Sequence, residues 1–333
     1  MFLASLLLLL AATNLNAADV VDVATGEDGR GRTRLSGEIV DFTGERLTIR
    51  VEGGGEREVP AAKVAAIETA LTPEHRAADA AFARRDFAAA LSQYKTALER
   101  ESRAWMRRRI VAQLVWTCRA VGDVPAAGDY FLLLVRSDPT TLFFDGIPLA
   151  WRSDLPDAAV ERQALAWLEQ DTSSAGLLGA SCLLGTPHAA RAMERLKLLA
   201  QDKDPRIAGL AKAQSWRQSL AGVSDAQIAS WRQVIQRLPE ELRAGPYYVL
   251  GRALAQRGEH ETAALTLLRV PILYPRETEL AAAALLEAGR ALERLDQRDE
   301  AAGLYREVLG EWPDDATATE AAARLEALQD AER

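Results

Sequence analysis

The chain has 333 residues, of which 48% are hydrophobic and 26% charged, and a formal net charge of -8 at pH 7. This length supports two or three domains with a sizeable core, and this composition excludes an intrinsically disordered protein. The negative charge argues against non-specific nucleic-acid binding, which needs a basic surface to neutralise phosphates.

Residues 1–18 have the pattern of a secretion signal peptide. An apolar run from Phe2 to Ala12 is followed by small and polar residues, and Ala17 or Ala18 fits the small-residue rule for cleavage. The uncharged start departs from such signals, which normally begin with Lys or Arg. The alternative is an uncleaved anchor, but the run is shorter than the roughly 18 residues of a spanning helix. We therefore expect a periplasmic or secreted protein with no integral membrane span after signal removal.

Residues 19–70 predict a small β module. Apolar side chains alternate with polar ones at Ile39, Leu47, Ile49 and Val51, and glycines mark tight connections between strands. The module resembles the small barrels of SH3-like or Sm-like type, which implies a curled sheet. We favour a docking or capping role over nucleic-acid binding, because no platform of aromatic and basic residues is present.

After Pro73 the pattern is helical and repeats. Three landmarks recur at a constant offset of 38 residues, and these are Gly251 and Gly289, Ala263 and Ala301, and Pro275 and Pro313. In two earlier stretches and in both of these, an alanine of the second helix precedes a Pro or Ser by 12 residues; the alanines are Ala90, Ala127, Ala263 and Ala301.

These landmarks resemble those of the tetratricopeptide repeat (TPR) family, in which Leu-Gly in the first helix is followed by Ala-x3-Phe and then Pro. The resemblance covers roughly Pro73–Pro139 and Gly245–Leu328, and its closing pair of repeats, with aromatic-Pro endings, is most similar to repeats of bacterial envelope TPR proteins. The period exceeds the family's 34 residues, and Ala78 and Val115 stand where the family has Gly. The family implies stacked helical pairs with a concave surface lined by the first helices.

Residues 140–240 are helical but less regular. The stretch at 202–211 resembles a HEAT-type repeat, in which Asp-Pro opens a helix. Four tryptophans are expected to anchor the packing of neighbouring helices here, namely Trp151, Trp167, Trp216 and Trp231.

The predicted fold class is therefore mainly α, an α–α superhelix (a TPR-type solenoid) preceded by a small β-barrel-like N-terminal module. The predicted boundaries are a signal peptide at 1–18, the β module at 19–70, TPR-like repeats at 71–139, the irregular HEAT-like segment at 140–240, and TPR repeats with a C-terminal capping helix at 241–333.

Residues able to carry chemistry are few. The three histidines belong to no metal-binding pattern, and no nucleophile elbow or phosphate-binding loop occurs, so we predict neither an enzyme nor a cofactor or metal site. Cys118 and Cys182 are far apart within helical patterns. Two buried thiols are favoured, although the sequence does not decide whether they pair.

The candidate binding residues come from the TPR resemblance. In the family, residues just after the Leu-Gly step, and one turn further on, face the groove. The matching positions that we predict to bind a protein or peptide are Trp116, Arg119, Arg252, Arg290 and Arg294. Arg pairs bidentately with carboxylates and Trp offers a large apolar area. The alternative is that these arginines are merely solvated and that Trp116 is buried between helices.

The predicted function is an exported, non-catalytic scaffold that binds protein or peptide partners through a helical-repeat groove in the bacterial cell envelope. An alternative is a structural subunit of a larger envelope or cell-wall-associated assembly. A third possibility is an enzyme with a site in residues 140–240. Clustered Arg and Trp in a groove would favour the first, an apolar outer face the second, and a deep pocket with buried carboxylates the third.

Overall fold

The structure, a computed structural model, describes residues 18–26, 31–51, 53–313 and 315–330. The predicted signal peptide, apart from Ala18, and Asp314 lie outside the described residues. Contacts divide the chain into two compact units. One comprises the described residues up to Leu114 with Leu134–Phe144, and the other comprises Val115–Leu133 with the described residues from Asp145 onward.

An antiparallel five-stranded sheet forms the start of the first unit, and the rest of the described chain is mainly helical. The predicted mainly-α class with a small N-terminal β module is confirmed. The strands are β1 (Asp19–Thr25), β2 (Gly31–Phe42), β3 (Arg46–Val51), β4 (Glu56–Pro60) and β5 (Val64–Glu68). Their order is β4-β3-β2-β1-β5. The buried side chains of this sheet are Val21, Val23, Ile39, Leu47, Ile49 and Val59.

The sheet is open and not a closed barrel, because β4 and β5 are edge strands and do not pair with each other in the part of the chain described. It is nevertheless strongly curled. A single 3-10 turn, Ala61–Lys63, joins the two edges. Five flat strands would place those edges roughly 19 Å apart, whereas the link from Pro60 to Val64 reaches at most about 14 Å. The short link therefore forces the curl.

The helices of the first half of the chain form two hairpins. They are α1 (Pro73–Ala83), α2 (Phe87–Arg100), α3 (Ala104–Ala120) and α4 (Val124–Ser137). Helix α1 begins where Pro73 occupies the first turn, and the backbone N–H of His75 donates to the Thr72 hydroxyl over 3.2 Å.

Arg103 ties the β module to the helices of the first unit. It makes two side-chain hydrogen bonds to the Glu101 carboxylate, and it also donates to the Thr69 hydroxyl over 2.8 Å and to the Ala70 carbonyl over 2.9 Å. Thr69 in turn donates to the buried carboxylate of Asp19, which also accepts from the backbone N–H of Ile39 over 2.8 Å. The start of β1, the end of β5 and the α2–α3 connection therefore share one network.

The remaining helices belong to the second unit. They are α5 (Ala158–Leu168), α6 (Ser173–Leu183), α7 (Ala189–Leu199), α8 (Pro205–Trp216), α9 (Asp225–Arg237), α10 (Ala244–Gln256), α11 (His260–Leu267), α12 (Arg269–Leu273), α13 (Thr278–Glu293), α14 (Arg298–Glu311) and α15 (Ala316–Asp330). Helix α8 begins at the predicted Asp-Pro pair, where Asp204 accepts from the N–H of Arg206.

Four helical hairpins end their first helix in the same way. The N–H groups of Asp86, Asp123, Glu259 and Gln297 each bond over 2.9–3.0 Å to a carbonyl five residues earlier. The preceding residues all have positive φ, namely Arg85 at 62°, Gly122 at 75°, Gly258 at 81° and Asp296 at 59°. This is the Schellman geometry, which satisfies the last carbonyls of a helix. The hairpins α1–α2, α3–α4, α10–α11 and α13–α14 are thus locally equivalent.

The landmark residues of the repeat lie inside these hairpins. The second-helix alanines, Ala90, Ala127, Ala263 and Ala301, are all 0% exposed. A Cβ added to Gly251 would lie 2.5 Å from Leu267, and one added to Gly289 would lie 2.4 Å from the Tyr305 ring. The glycine therefore lets the two helices approach closely in the hairpins α10–α11 and α13–α14.

The C-terminal stretch ends in a packed helix. Trp312 follows α14 and lies against a core cluster that includes Leu286, Tyr305 and Ala321, and Leu325 of α15 packs against the same cluster. The predicted capping helix is therefore present as a helix, and its apolar face is covered by α13 and α14.

His75 is a buried titratable group of the first unit. It is 1% exposed, neither ring nitrogen has a hydrogen-bond partner, and Nε2 lies 3.7 Å from Asp79 Oδ1. Burial lowers its pKa, because desolvation disfavours the imidazolium. The charged and titratable groups around it are Asp79, Tyr94, Glu101, Arg103 and Arg109.

We expect this burial to make stability depend on pH. Below about 6.5 the unfolded chain binds a proton that the folded imidazole lacks, so the free energy of unfolding falls with falling pH until the folded His75 is protonated. His75→Phe should flatten the slope between pH 7 and 5 by at most about 1.4 kcal/mol per pH unit. Urea denaturation across that range measures it, and an unchanged slope would contradict the assignment.

Candidate functional site

Two of the predicted binding arginines are brought together by an acidic residue between them. Arg252 of α10 and Arg290 of α13 both approach Glu287, with Nε to Oε1 at 3.9 Å and Nη1 to Oε1 at 2.9 Å respectively. Arg290 also pairs with Glu320 of α15. We call Arg252, Glu287, Arg290 and Glu320 the charged row. Its arginines are paired within the chain.

Trp116 and Arg119 lie at the end of α3 that belongs to the second unit. Trp116 is 7% exposed, and the guanidinium carbons of Arg119 and Arg276 lie 4.4 Å and 5.7 Å from its ring centroid. Arg119 forms a bidentate pair with Glu277, at 3.2 and 2.5 Å, immediately before α13. Trp116 is therefore buried, and two guanidinium groups lie against its ring.

Arg294 differs from the other predicted residues. It is exposed at the C-terminal end of α13, where its backbone N–H bonds to the carbonyls of Arg290 and Leu292. The structure does not bring it into the charged row.

A segment that the sequence analysis did not single out crosses this part of the second unit. Residues 147–156 form neither helix nor strand, and a tight turn at Pro148 joins the N–H of Leu149 to the carbonyl of Ile147 over 3.0 Å. We call this segment the strap. Its side chains Ile147, Leu149 and Trp151 are 5%, 8% and 9% exposed.

Side chains of the neighbouring helices hold the backbone of the strap. The N–H of Ala150 donates to Ser181 Oγ over 2.8 Å, and Gln214 Nε2 donates to the Ala150 carbonyl over 3.1 Å. Arg217 Nη2 donates to the carbonyl of Arg152 over 2.7 Å. Ser181 and Gln214 are 0% exposed. The α6 and α8 region thus provides buried polar groups aimed at peptide N–H and C=O groups.

Helix α10 contacts the other side of the strap. A Cβ at Gly245 would lie 1.9 Å from the Trp151 ring, so only glycine leaves room for the indole. Further along α10, Arg252 Nη1 donates to Ser153 Oγ over 3.0 Å. We call Ser181, Gln214, Arg217, Gly245 and Arg252 the bed of the strap.

Charged groups lie both before the strap and within it. Before it, Asp145 has its pKa raised by burial, opposed by Arg276. Within it, Arg152 pairs with Asp154 at 2.8 Å and with Asp315, before α15, at 3.3 Å.

In the bed, burial lowers the pKa of Arg217 to about 10. Its guanidinium therefore still carries a proton at neutral pH and needs the carbonyl acceptors that surround it.

A small cavity of about 20 Å³ separates the first part of the strap from its neighbours. Its walls include Asp145, Leu149 and Trp151 on one side and Leu210, Leu242 and Gly245 on the other. This volume holds a single water molecule and no organic substrate.

Both cysteines are buried thiols, not a disulfide. Burial raises the pKa of Cys182 to about 11, which makes its thiol a poor nucleophile at neutral pH.

Among the helices that the structure describes, none is long and apolar enough to cross a lipid bilayer. No known family model matches this sequence, and no curated protein matches it either.

Sequence reasoning missed the strap and the buried part of its bed. The available signal was the alternation of Ile147, Leu149 and Trp151 between Pro148 and Pro156, in a stretch without helical periodicity. All five predicted residues lie in the unit that holds the strap, and Arg252 touches the strap.

Proposed function

We propose that this protein is an exported, non-catalytic scaffold of the bacterial cell envelope that binds protein or peptide partners through the surface of a TPR-type α–α superhelix. The observation that carries the proposal is the contact between the strap and α10. Arg252, a predicted groove residue, hydrogen-bonds to a chain segment without helix or strand, as a peptide-binding surface of this family would.

The equivalent hairpins support this proposal. Arg252 and Arg290 occupy the same position in α10 and α13, and Glu287 joins them into a row. A partner carboxylate can replace Glu287 or Glu320 on these arginines, because Arg–carboxylate pairs at a half-exposed surface exchange at little cost. Recognition then resides in the row and not in a catalytic group.

The test is recovery of partners from envelope extract by the purified chain. The double variant Arg252→Ala with Arg290→Ala should recover at least ten times less of the partner than the wild type. Arg191→Ala with Arg298→Ala is the matched control, because it removes the same charge from exposed positions outside the row. Equal recovery by both variants would contradict the groove, and partners found only in cytosolic extract would contradict the location.

A second function is favoured by one specific observation. Leu265, Ile272 and Leu273 on α11 and α12 are 62%, 71% and 52% exposed, and these apolar side chains are the ones that a permanent partner would cover. This supports the structural subunit of a larger envelope or cell-wall-associated assembly. If Leu265→Gln with Ile272→Gln abolishes partner recovery and the arginine double variant does not, the second function replaces the first.

A further inference from the structure

The bed of the strap has the groups that a peptide-binding site needs. Ser181 and Gln214 meet both the N–H and the carbonyl of Ala150, and Arg217 meets the carbonyl of Arg152. These hydrogen bonds go to main-chain atoms, so they recognise a peptide backbone whatever its amino-acid sequence is. The side chains of a bound peptide would be selected by the apolar surroundings of Leu149 and by the space above Gly245, which the Trp151 indole fills.

The strap is held to the bed by side-chain hydrogen bonds and by the packing of Ile147, Leu149 and Trp151. Its bonds to the bed come from side chains, and no helix or strand ladder is broken when they open. Pro148 and Pro156 limit the conformations of the released segment, which lowers the entropy cost of binding again. The water-sized cavity beneath it also shows that its packing is incomplete.

A ligand that covers the bed in place of the strap must offer the same kind of acceptor. Arg217 Nη2 then loses the Arg152 carbonyl, although Nη1 keeps the Ser181 carbonyl and Gln214 Oε1 as acceptors, and Gln214 Nε2 loses the Ala150 carbonyl. A buried N–H donor that is covered by a ligand without an acceptor is unfavourable. A purely apolar ligand therefore cannot occupy the bed, whereas a peptide backbone can.

We propose that the bed is a recognition site for a peptide of the form apolar-Pro-apolar-small-Trp-Arg, which the chain's own strap occupies and a partner segment of the same chemistry displaces. This deepens the proposed function and rests on it, since it names the class of partner for that surface. Because the strap is tethered at both ends, it competes at a high effective concentration, of the order of mM. The partner must therefore make additional contacts, and the neighbouring charged row offers them.

The experiment measures binding of a labelled peptide copying residues 147–156 by fluorescence anisotropy. Trp151→Ala removes the strap's anchor, and this variant should bind the peptide at least tenfold more tightly than the wild type. Adding Gly245→Ala fills the empty space above α10 without a clash, since the indole is gone, and should abolish binding while the chain stays folded. Folded Trp151→Ala chain that fails to bind, or a double variant that binds equally well, would overturn the proposal.

Hydrogen exchange of the wild type gives a second measurement that needs no variant. The amide of Ala150 should exchange through local opening, at least tenfold faster than amides inside α10. If the Ala150 amide exchanges no faster than the amides of α10, the strap is not displaced and the proposal is wrong. This result does not depend on whether the Trp151→Ala variant folds. If the peptide-binding or the exchange experiment contradicts the displacement of the strap, the proposed function still stands as long as the Arg252 and Arg290 double variant loses its partner.

Discussion

Replacing Trp167 by alanine is expected to lower the free energy of unfolding by about 3–5 kcal/mol. The indole is 0% exposed, and its ring covers Gly128 of α4 so closely that a Cβ there would lie 2.2 Å from it. Its Nε1–H donates to Asp129 Oδ1 over 2.9 Å. The substitution creates a large cavity and leaves the Asp129 carboxylate without this donor, and urea denaturation followed by circular dichroism measures the loss.

Trp167→Phe is the control for this prediction. It removes the indole N–H and part of the ring volume but keeps a phenyl ring in the cavity, so it should cost clearly less than the alanine variant. If the two variants are equally destabilised, the hydrogen bond to Asp129 would dominate and the packing explanation would be wrong.

A second large effect is expected at the β2–β3 turn, where Gly44→Ala should lower the free energy of unfolding by about 3 kcal/mol. Gly44 lies against the segment after α4, and a Cβ would lie 1.6 Å from the carbonyl oxygen of Thr140. Its N–H donates to the buried carboxylate of Asp138 over 2.9 Å. The methyl group therefore separates the turn from Asp138 and breaks a charge-assisted hydrogen bond.

Gly303→Ala is the matched control for Gly44. Position 303 lies in α14, a Cβ there meets nothing within 4 Å, and alanine favours a helix over glycine by up to about 1 kcal/mol. This variant should be neutral or more stable in the same denaturation experiment. A Gly44→Ala chain as stable as the wild type would show that the turn does not need its close approach.

The hairpins could be predicted because their causes are local. The positive-φ turn, the following acidic or polar residue and the buried alanine recur at fixed spacing, so the end of each first helix depends on a few neighbouring residues. The same holds for α8, where Asp204 and Pro205 determine the start. The alternation of Ile39, Leu47 and Ile49 similarly placed the apolar side of the sheet.

The candidate site could be predicted only in part. The 38-residue offset of the repeat identified Arg252 and Arg290 as equivalent positions of two hairpins. The sequence did not show that Glu287 and Glu320 pair with these arginines. It also did not separate Trp116, which is buried under Arg119, from a solvent-exposed anchor. Both depend on residues far away in the chain, and single-sequence patterns do not report such contacts.

The amino-acid sequence by itself determined the repeated hairpins, the start of α8 and the apolar side of the sheet, since these depend on residues within a few positions of one another. Only the tertiary structure decided that the sheet is open, that the strap lies across α10, and that buried groups such as Arg217 and Gln214 face its backbone. The physical reason is that a buried polar group must find a partner wherever the fold supplies one, and that partner can be any residue of the chain.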